Sequence, residues 1–549
     1  MQEPRDRWMN RAAFTMAAIG SAVGLGNVWR FPFVAYQNGG GAFLIPYLVA
    51  MVTAGIPLMI VEYGLGQMMQ GSAAKSFGKV GKTWEWVGWW AILAGFVIVV
   101  YYAVVMAWSW NYLYHSLSLA WKGGAENFFF KRVLHLSEGP GQWGGIQWHV
   151  VLGLILTWGA VIWIVCRGVR RVGKVVMITV PLPMLLLLVF VIRGLTLPGA
   201  MEGIRFYLTP DFSKLLEPRV WLAAYGQIFF SLSLGFGIMI AYASYLPKRS
   251  DVNNNAFITT FANCGTSYFA GFAVFSILGY LAQATHVGVE TVISGGPGLA
   301  FVTYPTAISL LPTLPALFGV LFFITLLSLG IDSAFSLVEA IVAAVRDRWR
   351  IKQKTATWLI SGIAFALGLL FTTGAGLYWL DIVDHFVNNY GLVAIGFMEA
   401  VVIAYIFGTG KFREYVNRHS EIKIGKWWDV FVKWVTPLLL GGIIVWSLIE
   451  EISRPYENYP HWALFVGGWV VVIGILNLGV LLMDRRAFLK ISLPISAILL
   501  FLLTKWLSAT WVMFLVTVAV LYGGLAISLY VAHKKQRVWL DGERENNEQ

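Results

Sequence analysis

Apolar runs of about 20 residues recur along nearly the whole chain, each closed by a short polar or glycine- and proline-bearing stretch. A run of that length matches the helix needed to cross a hydrocarbon layer, and in lipid only helices and closed barrels satisfy their own backbone. The runs fall near 12–37, 42–66, 87–114, 149–166, 175–192, 220–246, 256–283, 315–344, 357–375, 384–408, 432–450, 462–483, 488–504 and 510–532. The expected fold is an all-α polytopic membrane protein with about 12–14 transmembrane helices. A soluble alternative fails on composition, because 58% of the 549 residues are hydrophobic and 12% charged, against about 25% charged in a soluble domain.

The net charge of +12 comes from short clusters between apolar runs: Arg5, Arg7 and Arg11; Arg167, Arg170, Arg171 and Lys174; Arg346, Arg348 and Arg350; Arg485 and Arg486. A nucleic-acid surface gathers its basic residues on one face, whereas these recur in alternate loops, as positive-inside bias requires. The expectation is a multi-pass protein of the cell (plasma) membrane, its partner the lipid bilayer and not nucleic acid, with both termini cytoplasmic. The basic start followed by Ala12 to Ala22 imitates a secretory signal. That reading is rejected, since the apolar stretch runs on through Val23, Leu25 and Val28 to Phe33. Cys166 and Cys264 lie in apolar stretches, where a thiol is a small hydrophobe, so no disulfide framework is implied.

Two spans carry glycine clusters at mid-length. The first contains Gly20-Ser21-Ala22-Val23-Gly24-Leu25-Gly26-Asn27, and the sixth contains Ser231-Leu232-Ser233-Leu234-Gly235-Phe236-Gly237. Each glycine costs about 1 kcal/mol of helix propensity relative to alanine. Either cluster alone also fits close helix packing through small residues. Two clusters five spans apart place matching interruptions at the start of two successive five-helix halves, the pattern of a 5+5 inverted-repeat transporter with broken helices 1 and 6. The expected organisation is an amino-terminal cytoplasmic segment over 1–11, a first repeat over 12–192 and a second, inverted, over 220–408. Helices 11 and 12 follow over 432–483, two possible extra helices over 488–532, and a cytoplasmic tail over 533–549.

Unwound backbone at membrane depth persists only where something satisfies it. A cation on the freed carbonyls and an anion at the half-helix amino termini would do so. Asn263 and Ser267 lie one turn apart on the seventh span, and Asp332 and Ser333 sit mid-way along the eighth. An intramembrane acid is a functional candidate by default, with a structural hydrogen bond to a neighbouring helix as the alternative. For Glu62, Glu339 and Glu399 the structural alternative is preferred. Gly295-Gly296-Pro297-Gly298 precedes an apolar run too short to span, which points to a helical hairpin over an entrance.

The strings Gly24-Leu25-Gly26-Asn27-Val28-Trp29-Arg30-Phe31-Pro32, Asn38-Gly39-Gly40-Gly41-Ala42-Phe43, Gln227-Ile228-Phe229-Phe230-Ser231-Leu232-Ser233 and Asp332-Ser333 closely resemble the neurotransmitter:sodium symporter family, of the bacterial leucine-transporter-like kind. The resemblance covers roughly residues 5 to 485, and the inverted repeat of that family is well known. It implies a secondary transporter that couples sodium to import of a neutral, aliphatic or hydrophobic amino acid by alternating access.

By motif position, a first sodium would take the carbonyl of Ala22, the side chains of Asn27, Ser231 and Asn263, and the substrate's carboxylate. A second would take the carbonyls of Gly20, Val23 and Leu329 with the side chains of Asp332 and Ser333. The substrate carboxylate would meet the amides around Leu25 and Gly26 and the hydroxyl of Tyr102, while its ammonium would face carbonyls near Ala22, Phe230 and Ser233. Monoamine carriers of the family place an aspartate where this chain has Gly24, so glycine favours an amino acid. Ile98, Phe236 and Leu337 would wall the side-chain pocket beneath Phe230; such a pocket separates neighbouring alkyl sizes by about 1–3 kcal/mol.

Arg30 and Asp384 match the family's outer ion pair. Arg5 and Asp347 match the inner pair, with Trp8 wedging the amino-terminal segment and Tyr245 nearby. Tyr47, Gln227, Ser231, Asn263 and Ser267 match its chloride ligands. A charge count agrees: two sodium ions bring two positive charges, Asp332 removes one and a zwitterion none, and the remainder is costly to bury unless an anion cancels it. The chain departs from the family's usual twelve helices in its last two spans, and at Thr306, where many relatives have glutamate. An enzyme is disfavoured because all eight histidines fall in loops or near span ends. A sodium-coupled carrier of an osmolyte or ω-amino acid is the alternative within transport, and a channel or non-transporting sensor the alternative from another class. The oligomeric state is not encoded in any of these features.

Overall fold

The structure, a computed structural model, describes residues 6–485, 488–493 and 496. Arg5 and Arg486, the expected span 510–532, most of 488–504 and the tail 533–549 lie outside the described residues. Among the described residues ten continuous helices are long and apolar enough to cross a membrane, or eleven with one bent pair counted as a span. The bent pair is α1 (Arg11–Ala22) and α2 (Leu25–Gln37), which meet at 49°. The continuous crossings are α3 (Gly41–Met69), α4 (Lys82–Ser116), α5 (Trp148–Val165), α6 (Val169–Leu195), α9 (Val252–Thr285), α10 (Pro315–Trp349), α11 (Gln353–Thr372), α12 (Gly376–Asn417), α13 (Lys426–Asn458) and α14 (His461–Met483). Between α6 and α9 the expected sixth span is present as two short helices, α7 (Pro218–Ser231) and α8 (Ile238–Ala243). Neither half is long enough alone to count as a crossing.

Both breaks are built by local chemistry. The amide of Val23 makes the last turn of α1 by donating to the Ile19 carbonyl at 2.7 Å. Gly24 is then extended, and its amide donates to the Asn27 side-chain oxygen at 2.9 Å, so α2 restarts with a cap from within its own first turn. At the second break Ser233, Gly235 and Gly237 have φ of 54°, 78° and 70°, a left-handed region that ends a helix and suits glycine. The freed Gly235 amide donates to the Glu62 carboxylate on α3 at 2.8 Å. Glu62 therefore does structural work, its carboxyl oxygen taking the place of a helix carbonyl.

The core gathers on α4, α9 and α10, whose inward residues are buried on nearly every turn. Gly66 lets α3 approach α8 until a side chain at that position would collide with the Ile240 carbonyl. In the expected hairpin region the short helix Val289–Val292 is followed, after residues 293–295, by one unbroken helical stretch made of Gly296–Gly298, Leu299–Thr303 and Tyr304–Ser309. It is fastened from one side: the Tyr112 hydroxyl donates to the Phe301 carbonyl at 2.7 Å, and the Trp121 indole to the Pro305 carbonyl at 2.8 Å.

Candidate substrate and ion site

The two breaks face one cavity of about 780 Å³. Ala22, Gly24, Leu25 and Gly26 line it from the first break, and Phe230, Ser233 and Phe236 from the second. Ile98 and Tyr102 of α4 and Leu337 of α10 complete the wall. The structure thus brings together every residue expected around a substrate, and adds Val105 and Ile238, which no motif marked. The Tyr102 hydroxyl is buried without a hydrogen-bond partner among the described residues, beside the Leu25 amide and Ser333. A Cβ on Gly24 would lie 2.7 Å from the Ser333 hydroxyl and 3.4 Å from that of Tyr102. Any larger residue at 24 would displace both and fill the polar end of the cavity.

Beneath the cavity a polar cluster joins α2, α7 and α9. The Asn27 amide nitrogen donates to the Asn263 side-chain oxygen at 2.8 Å and to Ser267 at 2.7 Å, while Asn263 donates to Ser231 at 2.7 Å. The Asn263 amide atom nearest the first break sits 3.0 Å from the Ala22 carbonyl oxygen and 3.3 Å from that of Ser231. With nitrogen in that place the amide donates to the carbonyls. With oxygen there, the Ala22, Ser231 and Asn263 oxygens would together make a donor set for a cation. A hard-oxygen donor set of this kind suits an alkali ion.

A second oxygen set lies where α1 passes α10. Asp332 is buried, and its Oδ1 accepts from the Thr179 hydroxyl of α6 at 2.6 Å. Its Oδ2 faces Gly20, whose Cβ would stand 2.9 Å away. Ser333 donates to the Ser21 carbonyl at 3.5 Å, and Leu329 lies one turn earlier on α10. Gly20 and Val23 belong to the last turn and the cap of α1. Thr179 carried no signal in the sequence beyond its place two residues before Pro181.

Of the residues matched to chloride, Tyr47, Ser231, Asn263 and Ser267 are neighbours. The Tyr47 hydroxyl lies beside Ser267 and Cys264, and Ser267 donates to the Asn263 carbonyl at 3.2 Å. Both the Tyr47 hydroxyl and the Gln227 amide are buried without hydrogen-bond partners among the described residues. Buried orphan donors cost about 1–3 kcal/mol each, a cost that a bound anion would remove for any donor it reached.

The ends of the cavity differ. At one end it reaches the hairpin residues 295–298, Asp384 and the 456–459 turn. There Arg30 and Asp384 form no ion pair: the Arg30 guanidinium lies 4.7 Å over the Phe230 ring, and Asp384 accepts from Tyr101 at 2.6 Å and Asn388 at 2.7 Å. At the other end the amino-terminal segment is docked. The Trp8 indole donates to the Tyr242 carbonyl at 2.8 Å, Arg7 donates to the Leu246 carbonyl at 3.0 Å, and Asp347 accepts from the Ser72 amide at 2.8 Å and pairs with Lys75 at 3.3 Å. The Tyr245 hydroxyl donates to Glu339 at 2.9 Å, and Gln353 donates to the same carboxylate at 2.9 Å. Glu339 is thus held structurally.

Broken helices around a central cavity are the architecture of a membrane transporter. The sequence matches the family described as the Sodium:neurotransmitter symporter family over residues 5–126 and 122–487, and the chain belongs to that family. It is 42% identical over 468 residues to an uncharacterised sodium-dependent transporter of Methanocaldococcus jannaschii, covering 85% of this chain and 95% of the relative. It is 36% identical over 519 residues to the creatine transporter of Torpedo marmorata, covering 86% and 84%. Against the sodium- and chloride-dependent taurine transporter of Bos taurus the identity is 34% over 513 residues, covering 85% and 82%.

Proposed function

We propose that the protein imports a neutral amino acid with an aliphatic or hydrophobic side chain, driven by two sodium ions and requiring chloride. The observation that carries this reading is a pair of polar groupings at the first break: the Ala22 and Ser231 carbonyls beside the Asn263 amide, where the two breaks meet, and the Asp332 carboxylate facing Gly20. The amino-acid assignment follows from Gly24, which leaves the polar end of the cavity to a carboxylate, and from the Leu25 and Gly26 amides at the start of α2, where an anion is favoured. Ile98, Phe236 and Leu337 give the rest of the cavity an apolar wall. Tyr47, Gln227 and Ser267 supply the donors for chloride, with Ser231 and Asn263 adjoining.

The amino-terminal end is the cytoplasmic face in this reading, because the basic loops Lys75–Lys82, Arg167–Lys174, Lys248–Arg249 and Arg346–Arg350 share it. Residues 12–192 and 220–408 are inverted repeats, each opening on a broken helix, and the protein sits in the plasma membrane. A second reading is favoured by the creatine and taurine relatives: the cavity then takes an osmolyte or ω-amino acid.

A thermal-shift series on the purified protein separates the readings, since a specific ligand stabilises by mass action, about 2.7 kcal/mol at a hundred times its Kd. The proposal expects an α-amino acid to raise the melting temperature in sodium chloride and not in choline chloride. It expects Asp332→Ala to remove the sodium dependence, gluconate to abolish uptake, and Ser267→Glu to restore part of it. Stabilisation by ω-amino acids alone would favour the second reading, and stabilisation indifferent to sodium would defeat both.

A further inference from the structure

Thr179 touches the acid on which the second ion set turns. We infer that Thr179 is a positioning residue for the cation held at Asp332, so that α6, as well as α1 and α10, is tied to that ion. The inference rests on the sodium-coupled reading above.

Thr179 ends the first segment of α6, and Val180 and Pro181 follow at the joint to the second. Its hydroxyl lies 2.6 Å from Asp332 Oδ1 and 3.2 Å from the Val175 carbonyl one turn back. A hydroxyl has one proton to give, and the shorter contact to a carboxylate is the stronger. Holding Oδ1 fixes the carboxylate plane and leaves Oδ2 on the side of Gly20. A Cβ on Gly20 would stand 2.9 Å from that oxygen and 2.5 Å from the Val180 side chain. Gly20, Val180 and Asp332 therefore meet within the width of one side chain, and Thr179 sets which way the acid points. Hydrogen bonds of this kind, made to a ligand atom that does not face the ion, orient the ligand and strengthen binding.

The fallback is built in. If α10 draws away from α6, the Thr179 hydroxyl returns to the Val175 carbonyl, so no buried donor is stranded. The contact can be made and broken within a transport cycle at small cost, which a lysine or arginine partner for Asp332 would not allow.

The test titrates sodium, balanced with choline, against the melting temperature of the full-length purified protein with no substrate added. Thr179→Val keeps the shape and removes the proton. It is expected to raise the sodium concentration for half-maximal stabilisation about tenfold, equivalent to about 1.4 kcal/mol, on top of a lower sodium-free melting temperature from the hydrogen bond lost to a buried carboxylate. Thr179→Ser, which restores the hydroxyl, is expected within about twofold of wild type by the same conversion. A valine midpoint within twofold of wild type overturns the inference, as does a serine variant that behaves like valine. Should the valine variant fail to purify, Thr179→Ala is judged by the same midpoint. A wild-type protein that sodium does not stabilise at all defeats the sodium-coupled reading itself, and is thereby distinguished from failure of Thr179 alone.

Discussion

The two ends of the molecule carry similar residues and use them differently. At the amino-terminal end a buried indole, a backbone-bound arginine and a carboxylate shared by Ser72 and Lys75 close the bundle. At the opposite end Arg30 and Asp384 are also present, yet each is engaged locally, by Phe230 and by Tyr101 with Asn388. The first end is thus held by packing and backbone hydrogen bonds together with ion pairs, whereas at the second the charged side chains Arg30 and Asp384 lie apart. A plug of the first kind is expensive to open without compensation; a pair of the second kind switches on small free energies. The proposed alternating-access cycle would draw on both, since its two states would have to lie within a few kcal/mol of one another.

Removing the plug should have the largest effect. Trp8 is buried against Phe14, Tyr242 and Tyr245, and a Trp→Ala change in such a setting costs about 3–5 kcal/mol. Trp8→Ala is expected to lower hydrogen-exchange protection across α1 by a factor of about one hundred or more while α4 and α10 keep theirs. Unchanged exchange in α1 would mean that the closed end is held elsewhere, and the contrast between the ends would lose its physical basis.

A middle-sized effect is expected at the open end. The Arg30 contact with Phe230 is worth about 0.5–2 kcal/mol as a cation–π pair, and its removal leaves the ligands beneath untouched. Arg30→Ala should slow transport about tenfold and change equilibrium binding by about twofold or less, because occlusion fails while the site survives. Equal loss of binding and transport, read by uptake and by thermal shift on the same preparation, would place Arg30 in the site instead of the gate.

How much of the fold and site is legible in the sequence depends on whether the cause is local. The breaks at Gly24 and Gly235 are readable because paired glycine clusters at mid-span weaken a helix where it can least tolerate it, and Asp332 because an acid in an apolar run needs a partner. The Glu62 bond to the Gly235 amide is not readable, since it joins residues 173 positions apart and α3 looks the same with or without it. Thr179 is hidden for a different reason: a threonine bonding its own helix is ordinary, and only the approach of α10 makes it a partner of Asp332. The charges at Arg30 and Asp384 are visible, but not that each is engaged by near neighbours, Phe230 for the one and Tyr101 with Asn388 for the other, since those contacts depend on how the helices pack. The last two expected spans lie mostly outside the described residues, so the helix count beyond α14 stays an expectation of the sequence.

The smallest effect tests one electrostatic contact of the closed end. Lys75 and Asp347 lie 3.3 Å apart, with side chains 36% and 14% exposed, and Asp347 also accepts from the Ser72 amide. Removing the lysine therefore deletes a partly hydrated ion pair without stranding the carboxylate, a change worth about 0.2–1 kcal/mol. Lys75→Ala should lower exchange protection of residues 72–80 by at most about fivefold. Salt provides the internal control: the screening length falls from about 8 Å at physiological ionic strength to about 3 Å at 1 M, so the difference between variant and wild type should shrink toward zero at high salt. The Trp8→Ala effect, being packing, should persist there. If both variants respond to salt alike, the closed end is held by charge after all, and it differs from the open end in degree and not in kind.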